Sequence, residues 1–157
     1  MKMNTRAEAV IARLKEQGLT LATAESCTGG LIGKLLTDVP GASAVYKGGV
    51  ISYVNEIKHR LLGVEQETLD VCTAVSRETA HEMARGARER LAADCAVSVT
   101  GLAGPDGDGT GRPVGLVYIA VDTAGFSFCK ELRLSGDRAK IREQAADAVF
   151  QLILDTI

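Results

Sequence analysis

Leu19-Thr20-Leu21-Ala22-Thr23-Ala24-Glu25-Ser26-Cys27-Thr28-Gly29-Gly30-Leu31-Ile32-Gly33-Lys34-Leu35-Leu36 is the stretch from which the fold follows. Its opening, Leu19 to Ala24, is a short apolar run of the kind that forms a strand. Its end, within residues 29–38, carries the apolar content of a buried helix. The turn between them packs two hydroxyls, a thiol and two glycines into a strand-to-helix junction. A helix N-terminus has unpaired N–H groups and partial positive charge, so Thr28, Gly29 and Gly30 can hold a phosphate or an oxyanion. A sharp turn can also expose a nucleophile on a rigid support. The plain structural alternative is that Ser26 or Thr28 caps the helix and the glycines permit close packing.

Outward from this unit, helices and strands interleave. Asn4 or Thr5 can cap a helix running to about Gln17, with Val10, Ile11 and Leu14 on one face and Gly18 as its stop. Val45 to Tyr53 reads as a strand, with Gly48-Gly49 marking a bulge or a close approach. Asn55 is placed to cap a short helix, Glu56 to Leu62, that ends at Gly63, and a weak helical signal follows at 66–71. Ser76 starts a long helix to about Ala92, and Asp94 to Thr100 reads as a central strand. Strands at Gly115 to Asp122 and Phe126 to Leu134, joined through Ala124-Gly125, form a hairpin. Ser135 is placed to cap the last helix, whose apolar stripe includes Ile141, Ala145, Val149 and Leu152. The expected fold is one α/β domain over residues 1–157: a three-layer α/β/α sandwich with a mixed sheet and a late antiparallel hairpin.

The totals exclude several classes. The 157 residues carry a net charge of −2, with 46% hydrophobic and 24% charged residues, so no basic field invites nucleic acid or an anionic membrane. No apolar run reaches the roughly 20 residues of a membrane span, and the N-terminus lacks an apolar signal core. Cys27, Cys72, Cys95 and Cys129 lie far apart, without C-x-x-C spacing or a neighbouring histidine. That pattern points to reduced thiols in a cytoplasmic, metal-free protein.

The two histidines, His59 and His81, sit in polar helical settings that do not favour a Ser-His-Asp triad. A Ser26 nucleophile would then take a lysine as base. Lys58 falls in the first turn of its helix, where the macrodipole disfavours a cation and lowers an ammonium pKa. Tyr53 can add a hydroxyl to the same pocket. Against this stands a Lys58 reaching solvent and a Tyr53 in the core. Cys27 competes for the nucleophile role, since a thiol at a helix N-terminus is acidified. The loop after the central strand lacks both the Walker and the dinucleotide signatures. Its tight part, Thr100 to Gly104, including Gly101, lies where α/β folds bind ligands. Arg138, in the turn Ser135-Gly136-Asp137-Arg138, can fork around a phosphate or form an ordinary surface ion pair.

Five motifs in order carry a resemblance: Ala24 to Gly30; Gly49 to Lys58 with Tyr53-Val54-Asn55-Glu56-Ile57-Lys58; Thr100 to Gly107; Pro113-Val114-Gly115; and Ser135 to Arg138. Together they resemble the CinA C-terminal domain family, whose stand-alone members are nicotinamide mononucleotide deamidases. The resemblance runs from about residue 5 to the end. It implies hydrolysis of the carboxamide of nicotinamide mononucleotide to nicotinate mononucleotide and ammonia, with no metal or organic cofactor. It carries the serine nucleophile onto Ser26, the lysine onto Lys58, the tyrosine onto Tyr53 and the threonine onto Thr100. The arginine falls on Arg138, with Arg142 a second candidate one helical turn later. It also implies a small-molecule nucleotide partner and a homodimer. The competing expectations are a non-catalytic nucleotide-binding or regulatory module and a Cys27-dependent hydrolase.

Overall fold

Side chains along the central strands alternate large and small, and this alternation sets the layers. The computed structural model describes residues 3–157. In β3 (Cys95–Gly101), Val97 and Val99 face one side, while Ala96, Ser98 and Thr100 face the other. β1 (Leu21–Glu25) repeats the pattern with Leu21 against Ala22 and Ala24, and β4 (Leu116–Thr123) with Val117, Ile119 and Val121 against Ala120. On the large face pack α1 (Met3–Gln17), α2 (Leu31–Thr37) and α6 (Arg138–Thr156), through Val10, Leu14, Leu36, Ile141 and Phe150. The small face takes α3 (Asn55–Leu62), α4 (Gln66–Val71) and α5 (Arg77–Arg90) through Leu62, Leu69 and Met83.

With β2 (Tyr46–Ile51) and β5 (Ser127–Arg133), the strand order is β2-β1-β3-β4-β5. β2, β1 and β3 are parallel; β4 runs antiparallel to β3 and β5 antiparallel to β4. The expected three-layer fold with a mixed sheet and a late hairpin is therefore present. The chain leaves β1 for β2 on one side and crosses back to β3 on the other, so the carboxyl end of β1 is a topological switch point. In open α/β sheets a crevice forms there.

Several boundaries differ from expectation for local reasons. α1 already includes Asn4 and Thr5, so neither caps it; the positions before Met3 lie outside the described residues. α3 starts at Asn55 with Val54 as its cap. α6 is capped by Asp137, which accepts from the Lys140 N–H at 2.9 Å, in place of Ser135, so Arg138 is its first residue. α2 begins at Leu31 behind a left-handed Gly30 and has no cap from Ser26. Ser76 caps α5 as expected, accepting from Thr79 N–H at 3.1 Å. In β2 the register against β1 slips at Lys47, which gives the bulge expected near Gly48.

The small face lets α5 come close. A Cβ on Gly86 would collide with the Leu62 carbonyl at the end of α3. Gly86→Ala raises helix propensity yet is expected to destabilise the fold by about 2 kcal/mol, because backbone must move. Urea denaturation checks this, and a neutral or stabilising result would contradict the α3–α5 contact. No helix among the described residues is long and apolar enough to cross a membrane.

Candidate active site

Three parallel strands end at one edge of the sheet, and each delivers part of a polar cluster. Ser26 directly follows β1, its N–H donating to Val99 O at 3.0 Å, which ties the turn to β3. β2 delivers the carbonyls of Ser52 and Tyr53, and α3 brings Lys58 back beneath them. Lys58 is 1% exposed and its Nζ donates to Ser26 Oγ at 2.9 Å, to Ser52 O at 2.8 Å and to Tyr53 O at 3.3 Å. Burial lowers its pKa from 10.5 to about 8, against a small opposing influence of Cys27. The solvent-facing alternative for Lys58 is thereby overturned. A neutral amine has two N–H groups and one lone pair. The two carbonyls take the N–H groups, so the lone pair is left for the Ser26 hydroxyl.

A cavity of about 290 Å³ opens over this pair. Ser26, Lys58, Tyr53, Thr100, Gly101, Gly104 and Arg138 all line it. Tyr53 is 55% exposed, not in the core, and its hydroxyl accepts from Arg138 Nη2 at 2.7 Å. Arg138 Nη1 donates to Gly104 O at 2.7 Å, so the guanidinium bridges the two sides of the mouth. Tyr53 therefore meets Lys58 through its backbone carbonyl and Arg138 through its phenol. The Thr100 hydroxyl donates to Ala74 O at 2.7 Å, which commits it to fixing the cavity wall. Asp106 and Asp108, to which the sequence assigned no role, also line the cavity.

Thr28, Gly29, Gly30 and Arg142 are not brought into the cavity, and the reason is Glu25. Its buried carboxylate accepts from Thr28 Oγ1 at 2.6 Å, Ile32 N–H at 2.9 Å, Gly33 N–H at 3.0 Å and Gly30 N–H at 3.2 Å. The N-terminus of α2 is thus filled by the protein's own anion, which corrects the expectation that its glycine turn cradles a ligand phosphate. Sequence inspection missed Glu25; its place in the strand gave no sign that it folds forward over the helix start. Arg142 lies behind the turn, donating to Cys27 O at 3.0 Å and Thr28 O at 2.9 Å. Of the two arginines, only Arg138 reaches the cavity.

Cys27 is also corrected. Burial pushes its thiol up to about 11, and the α2 amides expected to acidify it are given to Glu25. Neither histidine lines the cavity: His59 Nδ1 lies 2.7 Å from Val64 O and His81 Nδ1 lies 2.6 Å from Ser127 Oγ. A larger cavity of about 520 Å³, between β5 and α6 and lined by Phe128 and Leu152, contains no paired nucleophile and base. Chemistry, not volume, singles out the smaller one.

Comparison with known proteins matches residues 3–157 to the CinA C-terminal domain. The chain belongs to the CinA C-terminal domain family. A putative competence-damage inducible protein of Thermoanaerobacter pseudethanolicus is 53% identical over 151 residues, covering 94% of this chain and 37% of that protein. One from Caldanaerobacter subterraneus is 49% identical over 146 residues, covering 93% of this chain and 35% of that protein. The CinA-type chain described here thus spans about a third of the length of these curated relatives. Among solved structures, the competence/damage inducible protein CihA of Agrobacterium tumefaciens superposes with a TM-score of 0.94 at 40% identity, covering 98% of this chain and 94% of that one. A CinA superfamily protein of Escherichia coli gives 0.97 at 31% identity, covering 99% and 91%.

Proposed function

We propose that this CinA domain hydrolyses the carboxamide of nicotinamide mononucleotide to nicotinate mononucleotide and ammonia, with Ser26 as nucleophile and Lys58 as base. The observation that carries the proposal is the buried Lys58 Nζ, 2.9 Å from Ser26 Oγ and held by two carbonyls. Buried lysines with lowered pKa values are the bases of Ser–Lys hydrolases. The choice of substrate rests on the family resemblance, and the Arg138 cation at the cavity mouth suits its phosphate.

Neutral Lys58 removes the Ser26 proton as Oγ attacks the amide carbon. The Cys27 N–H, whose residue lines the cavity and which donates to no backbone carbonyl among the described residues, is the amide of the turn left for the tetrahedral oxyanion. Lys58 then returns its proton to the amide nitrogen, the C–N bond breaks and ammonia leaves. In the second half, Lys58 takes a proton from water, hydroxide adds to the acyl-serine, and the Ser26 hydroxyl re-forms as the carboxylate departs. Arg138 and the turn from Thr100 to Gly104 hold the remote part of the substrate, so that its binding energy positions the amide. Ammonia release by purified protein, measured with nicotinamide mononucleotide and without added metal, tests the proposal. Release is expected; none from folded protein would favour a non-catalytic nucleotide-binding module.

A further inference from the structure

The Ser26 turn is held from behind by two opposite charges, neither of which lines the cavity. Glu25 gathers three N–H groups and one hydroxyl of the Thr28–Gly33 segment. Arg142 takes two consecutive carbonyls, Cys27 O with Nε and Thr28 O with Nη2. In a trans peptide the C=O and N–H point in opposite directions. Fixing Cys27 O therefore fixes the direction of the Thr28 N–H. Fixing Thr28 O likewise aims the Gly29 N–H, which donates to Ser26 O at 3.0 Å. That last bond orients the Ser26–Cys27 peptide and hence the Cys27 N–H. Gly29 is left-handed at φ +58, a backbone conformation that the turn requires and that side chains rarely adopt. One side chain from α6, with the Leu31 N–H that also donates to Thr28 O, thus fixes the peptide planes on which the Cys27 amide depends.

We propose that Arg142, with Glu25, is a positioning residue: it holds the Ser26 turn so that Oγ meets Lys58 and the Cys27 amide faces the developing oxyanion. This rests on the amidase reading of the same site and assigns Arg142 a role other than gripping the phosphate.

The test compares wild type with Arg142→Met and Arg142→Lys on nicotinamide mononucleotide and on nicotinamide riboside, which lacks the phosphate. It adds labelling of Ser26 by a fluorophosphonate and a crystal structure of Arg142→Met. Arg142→Met is expected to lower kcat about 100-fold on both substrates, with KM changed less than about threefold, because a misplaced turn costs rate and not binding. Labelling of Ser26 should slow by a similar factor, and the crystal structure should show Oγ moved off Lys58 Nζ. Arg142→Lys, able to hold one carbonyl, should recover part of kcat. A rise in KM confined to the mononucleotide, with riboside turnover unchanged, would overturn the proposal and return Arg142 to phosphate binding. Full kcat with the 2.9 Å contact intact would also overturn it. If wild type released no ammonia, the amidase reading would fail by itself, and the labelling rates and the crystal structure would still decide for or against the clamp.

Discussion

Ser26→Ala is expected to lower kcat/KM for ammonia release by about 10⁴-fold or more, with the melting temperature within a few degrees of wild type. The side chain makes one hydrogen bond, to Lys58, and the Ser26 N–H bond to Val99 O is untouched by the change. Lys58→Met is expected to give a loss of the same order, and the double variant should be no worse than either single one. Residues that act as a unit in nucleophile activation are non-additive in this way. Two independent losses that multiply would separate the pair and remove Lys58 as the base. Activity retained in Ser26→Ala would move the nucleophile elsewhere, although Cys27, its thiol pushed up to about 11, is poorly suited to the part.

The second large effect is on pH. Only neutral Lys58 can take the Ser26 proton, and its pKa is lowered to about 8. kcat/KM should therefore rise about tenfold per pH unit below 8 and level off above it, a change of roughly 100-fold between pH 6 and 9. Stability should follow the same group in the same direction. Below about 8 the lysine is protonated both folded and unfolded, and the folded protein bears the full cost of a buried ammonium. Between about 8 and 10.5 the unfolded chain holds the proton and the folded one does not, so the free energy of unfolding rises with pH. Relative to Lys58→Met, wild type should gain about 1 kcal/mol between pH 7 and 9. A rate profile flat across pH 6 to 9, or a stability difference that falls with pH, would contradict the buried base. The comparison with Lys58→Met cancels the surface groups that titrate in the same range.

Much of the architecture was legible because periodicity and punctuation agreed. The run Leu19 to Ala24 reads as the strand observed at Leu21–Glu25, Gly30 ends the turn, and Ser76 caps α5, each for a reason local to a few residues. What escaped the sequence was long-range. Nothing around Glu25 indicates that its carboxylate fills the end of α2, and that one contact reverses the meaning of Thr28, Gly29, Gly30 and Cys27 together. Arg142 is visible as an arginine in the first turns of a helix. That it closes on Cys27 and not on a ligand depends on how α6 docks against the sheet. Lys58 was singled out by its helix position. The structure adds its burial beneath the carbonyls of Ser52 and Tyr53, and that burial is the main cause of the lowered pKa. Asp137 replaces Ser135 as a cap because adjacent polar residues compete for that position, whereas α3 simply begins one residue early, at Asn55, behind an apolar Val54.

The hydrogen bonds from Arg142 to the Ser26 turn span 114 and 115 positions of sequence. During synthesis Ser26, Lys58 and all three parallel strands emerge before α6. Residues 138–142 bring the guanidinium that holds the turn and the cation at the cavity mouth. With the roles proposed above, the site is complete only once α6 has been made, and a chain lacking residues 138–142 carries Ser26 and Lys58 without either arginine.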